Sequence, residues 1–137
     1  MRCFIGIDLG STTTKAVVID EQQNIIGRGI TNSRSNYDTA AAVAKTEALI
    51  NGRFHLFRQA LRDNNALNGS LDGFIGQLER DFRAEQYLEQ LVDLEATCRR
   101  NLSQSNFAGP VSEALDAVFK RLTAEAHLLF APGAKRK

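Results

Sequence analysis

A chain of 137 residues matches one domain or a little less, long enough for a single core to bury most of its apolar surface. With 43% hydrophobic and 24% charged residues, two prolines and no low-complexity tract, disordered, collagen-like and prion-like classes are excluded. Seventeen Lys plus Arg against sixteen Asp plus Glu leave a net charge of +1, so charge supplies neither a nucleic-acid footprint nor a trap for acidic substrates.

The opening 31 residues have β texture. Cys3 to Leu9, Thr14 to Asp20 and Ile25 to Thr31 are short runs rich in β-branched residues, bounded by Gly, Asp, Asn and Ser. Their connections are too short for the crossover that a parallel pair needs, so three antiparallel strands in a meander are predicted. In an extended strand Cys3, Ile5, Ile7 and Leu9 share one face, and Phe4, Gly6, Asp8 and Gly10 the other.

After Thr31 the texture changes. Ser35-x-x-Asp38 resembles a capping box, which places a helix start near Asn36 to Asp38. Ala40, Val43, Ala44, Ile50, Phe54, Phe57 and Leu61 mark its apolar side, with Asn51-Gly52 as a kink. Asp63 to Asp72 reads as a turn. Ile75, Leu78, Phe82, Tyr87 or Leu88, Leu91, Leu94, Cys98 and Leu102 form the stripe of a second helix. Gly109-Pro110 punctuates the chain, and Pro110 suits the first turn of a third helix carrying Val111, Leu115, Val118, Phe119, Leu122, Ala126 and Leu129. The expected organisation is α+β: a three-stranded antiparallel meander over 1–35, a three-helix segment over 36–131 (helices about 37–63, 73–102 and 110–130), and a disordered basic tail over 132–137. Three strands with no covering second layer expose an edge and a face, a liability unless the helices or a missing lobe cover them, so marginal stability or oligomerisation is expected.

Most residue types that often carry chemistry have plainer readings here. Cys3 and Cys98 are far apart with no Cys-x-x-Cys and no nearby His pair; both read as packing residues, and neither a disulfide nor a metal set is expected. His55 and His127 read as helix decoration, Glu47, Glu85, Glu89 and Asp93 as solvated acidic positions, and Arg99-Arg100 as a helix face. Phe54, Phe57 and Phe82 read as core anchors, because no basic groove accompanies them as base-stacking requires. The first apolar run is broken by Gly6 and Asp8, and no run approaches the roughly 18 to 20 residues of a membrane span. A cytoplasmic protein, bound to neither membrane nor nucleic acid, is expected.

One segment, Asp8-Leu9-Gly10-Ser11-Thr12-Thr13-Thr14-Lys15, combines the parts that polyphosphate binding needs. Gly10 permits a positive φ and close backbone approach, so that turn amides point at phosphate oxygens. Ser11, Thr12 and Thr13 add short hydroxyl donors, and Lys15 a point charge. Asp8 would repel phosphate directly, so its role is to hold Mg²⁺ through water. The same residues also read as a polar hairpin whose Asp8 caps the turn and whose threonines simply favour β structure. A Walker loop and a dinucleotide fingerprint are excluded: there is no Gly-Lys pair, and Gly27-x-Gly29 is followed by Asn32 where Gly or Ala belongs.

The segment Asp8 to Lys15 resembles the first phosphate motif of the superfamily that includes acetate and sugar kinases, the large heat-shock ATPases and actin. In its Gly-Ser-Thr-Thr-Thr-Lys form it is most similar to activators of 2-hydroxyacyl-CoA dehydratases and to the ATP-binding subunits of benzoyl-CoA reductase. Gly27 to Asp38, with the long helical segment behind it, resembles the benzoyl-CoA reductase branch. The resemblance implies that the meander is part of a ribonuclease H-like ATPase lobe. It also implies an ATP-binding subunit that couples ATP hydrolysis to low-potential electron transfer into a partner that reduces the aromatic ring of benzoyl-CoA. By motif match, Gly10, Ser11, Thr12, Thr13 and Lys15 would serve the ATP phosphates and Asp8 would serve Mg²⁺.

Other subunits of a reductase complex, in a homo- or hetero-oligomer, are the implied partners. In that family a [4Fe–4S] cluster is shared between two subunits; its cysteines, the second phosphate motif and the adenosine motif lie downstream of Lys137. The 137-residue chain is therefore expected neither to hydrolyse ATP nor to transfer electrons by itself. The alternatives are an activator of a 2-hydroxyacyl-CoA dehydratase, a helical interaction module with an idle phosphate loop, and a small-molecule kinase of the same superfamily.

Overall fold

Strand alternation and a row of small residues on one helix decide how the first part of the chain packs. A computed structural model describes all residues except 34, 65, 66, 68, 104–107 and 135–137. It contains β1 (Phe4–Leu9), β2 (Thr13–Ile19) and β3 (Ile25–Asn32), then α1 (Tyr37–Asp63), α2 (Leu71–Leu102) and α3 (Ala108–Leu129). The fold is α+β, and the sheet is an antiparallel meander of order β1-β2-β3, as the runs and short connections predict.

In β2, Thr14, Ala16 and Val18 are buried, while Lys15 between them is exposed. The buried set faces α1: Ala16, Val18 and Ile26 form one core cluster with Ala44 and Ala48 of the helix, and Leu49 and Leu56 pack against it. The second layer that the meander needs is thus supplied within this chain. It covers β2 and β3 better than β1, whose Phe4, Ile5, Ile7 and Leu9 remain 40 to 56% exposed.

The contact between β3 and α1 is made by the absence of side chains. Ala40, Ala44, Ala48 and Gly52, each four residues after the last, are all buried and lie along one side of α1. A Cβ added to Gly27 would stand 2.7 Å from the Gly52 nitrogen and closer still to the Ala48 carbonyl oxygen; one added to Gly29 would stand 2.7 Å from the Ala48 nitrogen and closer still to the Ala44 carbonyl oxygen. Strand and helix backbones therefore touch, and Asn51 Nδ2 donates to the Arg28 carbonyl at 2.6 Å beside that contact. Gly52 accordingly marks a close approach of backbones within one continuous helix.

α1 starts at Tyr37, within the predicted Asn36 to Asp38, but its cap differs from expectation. Asn36, not Ser35, is the N-cap: its side chain accepts from the Thr39 backbone N–H at 2.9 Å, satisfying one of the donors that a helix start leaves open.

The chain divides into two compact units, 1–72 and 73–137. The change of texture at 35/36 is one of secondary structure, because α1 belongs with the sheet. In the second unit, Leu91, Phe119 and Ala126 are buried, and Tyr87 packs its ring on Phe130 with centroids 5.8 Å apart. Arg99 joins α2 to α3 by bonding both Glu95 and Asp116. Several stripe residues fall outside the cores: Phe57 is 43% exposed and Phe82 41%, so neither is the core anchor that periodicity suggests. Cys3 precedes β1 and is exposed, which overturns its reading as a packing residue; Cys98 is half-buried. Of the basic tail, residues 135–137 lie outside the described residues. Among the described residues, no helix is long and apolar enough to cross a membrane.

Candidate functional site

The β1–β2 hairpin brings together the residues singled out for phosphate and metal. Its register pairs Asp8 with Lys15 and Leu9 with Thr14. Directly opposed residues share a face, so Asp8 and Lys15 stand side by side on the face away from α1. Both are exposed. Neither forms an ion pair with a described residue. Gly6 flanks Asp8 on the same face, where even an added Cβ would only reach ordinary contact, 3.6 Å from Val17 Cγ2. There is room beside the carboxylate, as the pleat parity predicts.

The turn itself closes by one bond, Gly10 N–H to the Thr13 carbonyl at 3.1 Å. Gly10 is not at positive φ, contrary to expectation. Its requirement is steric: a Cβ there would lie 2.7 Å from the Thr13 oxygen. Ser11 and Thr12 at the tip are exposed and Thr13 is half-buried, so these hydroxyls are open to a ligand. Thr14 is not: it is fully buried, with its hydroxyl 2.8 Å from that of Ser33.

Ser33 is the residue that sequence reasoning misses. It is 1% exposed, and its hydroxyl donates to the Gly10 carbonyl at 2.5 Å. Its own hydrogen is thereby used, so Thr14 Oγ1 donates in the Thr14–Ser33 bond. The Ser33 backbone N–H reaches the Thr12 carbonyl at 3.0 Å. Three bonds from one residue tie the end of β3 to both sides of the hairpin. The effect is to hold the tip carbonyls inward, leaving the outer side of the turn to its hydroxyls.

Among the described residues, no three His, Cys, Asp or Glu side chains converge on a metal. That suits Mg²⁺ held by a lone carboxylate, since Mg²⁺ keeps most of its waters and takes its other ligands from phosphate. It does not suit an iron–sulfur cluster, which needs several thiolates; Cys3 and Cys98 fall in different units.

A protein-family model, described as the BadF/BadG/BcrA/BcrD ATPase family, matches residues 5–127. The chain belongs to this family. The match runs through the hairpin and most of the helical segment, so the relationship does not rest on the short motif alone. No curated protein and no solved structure matches. Membership of an ATPase family brings a nucleotide, and with it Mg²⁺, as the ligand class.

Proposed function

We propose that the β1–β2 hairpin is the phosphate grip of an ATP-binding subunit. Ser11, Thr12 and Thr13 would donate hydroxyl hydrogens, and Lys15 would neutralise phosphate charge. Asp8 would orient a water held on Mg²⁺, the metal supplying the charge that lets a carboxylate stand beside phosphate. The observation that carries the reading is the opposed Asp8–Lys15 pair, exposed on one face and not bridged. Opposite charges placed directly across a ladder ordinarily support each other; left apart beside an open turn, each remains available to a ligand.

Within the family, the reading extends to coupling ATP hydrolysis to low-potential electron transfer for benzoyl-CoA ring reduction, in a complex with other reductase subunits in the cytoplasm. The family match carries the ATPase reading, and the likeness of Gly27 to Asp38 is what favours this branch. The [4Fe–4S] cluster of that chemistry would be held by residues outside this chain, and the chain alone would bind nucleotide without turning it over. A docking role for the helical unit is favoured by Val92 and Leu128, which are 66% and 71% exposed on α2 and α3.

Titration calorimetry of the 137-residue chain with ATP and Mg²⁺ tests the grip. Asp8→Asn and Lys15→Gln are each expected to weaken binding about tenfold, the scale of one lost charge-assisted contact, without changing the melting temperature. Absent binding, or binding indifferent to both changes, would overturn the reading. Co-expression with candidate partner subunits, followed by assay of benzoyl-CoA reduction against activation of a 2-hydroxyacyl-CoA dehydratase, separates the two branches.

A further inference from the structure

A cavity of about 390 Å³ is bounded by Lys15, Ala16 and Val17 of β2, Arg28, Gly29 and Ile30 of β3, and Glu47 and Asn51 of α1. The register sets Lys15 opposite Ile30 and Val17 opposite Arg28. All four share one face, and Arg28 is the diagonal neighbour of Lys15, about 7–8 Å away between backbones. That separation is within reach of two flexible cationic side chains acting on one extended anion.

Arg28 is held at its backbone and free at its head. Asn51 Nδ2 occupies the Arg28 carbonyl, fixing the strand there, while the guanidinium makes no hydrogen bond or ion pair with a described residue. The Lys15 ammonium is likewise unpaired among the described residues. The cavity thus has two uncommitted cations against the single carboxylate of Glu47, on a floor of Val17 and Ile30. Aliphatic neighbours displace water and strengthen a charge-assisted contact made above them.

We infer that Arg28 is a second cation of the phosphate site. Lys15, which belongs to both hairpin and cavity, takes one phosphate, and Arg28 takes the next with its planar fork. The site thereby selects a polyphosphate chain over a single phosphate. This rests on the hairpin being the phosphate grip.

Titration calorimetry of the chain with tripolyphosphate and with orthophosphate, each with Mg²⁺, tests it. Arg28→Gln is expected to weaken tripolyphosphate about tenfold and leave orthophosphate unchanged, with Arg28→Lys intermediate. Lys15→Gln is expected to weaken both. Tripolyphosphate binding that falls with Lys15→Gln but not with Arg28→Gln would overturn the inference and spare the hairpin reading. Equal loss of both anions in Arg28→Gln would also overturn it, showing only a general field. A wild-type chain that binds no tripolyphosphate, or binds it regardless of Lys15, would remove both.

Discussion

The Ser33 hydroxyl donates to the Gly10 carbonyl across 2.5 Å, so the residue that follows β3 braces the β1–β2 turn. The tip of one hairpin is thus fastened by the end of the next strand, and the buried Thr14 hydroxyl completes the link.

Removing that link is expected to cost more from one end than from both. Ser33→Ala leaves the buried Thr14 hydroxyl without its partner and should destabilise by about 1–3 kcal/mol. Thr14→Val, which keeps the Ser33 bond to Gly10, should cost about 1 kcal/mol. The double variant should recover part of the Ser33→Ala loss, because no stranded hydroxyl remains. Urea unfolding of the three variants measures this.

Two glycines in the same sheet should differ sharply in their response to one added methyl group. Gly29→Ala drives a Cβ into the backbone of α1 and is expected to destabilise by about 3 kcal/mol or more. Gly6→Ala meets only Val17 at ordinary contact distance and should stay within about 0.5 kcal/mol. Thermal melts of both decide it.

The β2–β3 turn carries an acid-sensitive brace. Asp20 accepts from the Gln22 and Asn24 backbone N–H groups at 2.9 and 2.8 Å and from Asn24 Nδ2 at 3.0 Å. The Asn24 side-chain bond, chiefly, holds the Asp20 carboxyl below its ordinary range, with the backbone bonds and the His55 charge acting the same way. A carboxyl whose folded value is depressed contributes stability above its unfolded value, and loses that contribution as pH falls through the folded one. Melting temperatures followed downward from about pH 5 should therefore fall more steeply for the native chain than for Asp20→Asn.

In the same turn Gln23 sits at φ 64°, a conformation that costs a side-chain-bearing residue about 1 kcal/mol. Gln23→Gly is expected to raise stability by up to about that amount, read by urea unfolding.

Strand order and the β1–β2 hairpin that sets Asp8 opposite Lys15 are legible in the sequence because β-branched runs and short connections are local. What escapes depends on neighbours. Ser33 is one polar residue in a polar stretch, and nothing in its surroundings shows that Gly10 lies beside it. Thr14 reads as the first residue of the second strand, and its alternation with Ala16 and Val18 is the signal that sends it inward. Ala48 and Gly52 carry burial without bulk, so a stripe drawn through large side chains passes them by; the four-residue spacing from Ala40 is the better guide. Phe57 and Phe82 show the converse, since periodicity locates a side of a helix but not what covers it.

The two glycines of β3 also act as notches that set alignment. Ile25 and Thr31 stand two positions outside them, and both are β-branched. If β3 slid by a pleat in either direction, one or the other would be pressed against the rail of α1 where only hydrogen fits. Mispaired forms of the meander are thereby rejected during folding, and the loop at its far end is delivered to one address relative to the helix.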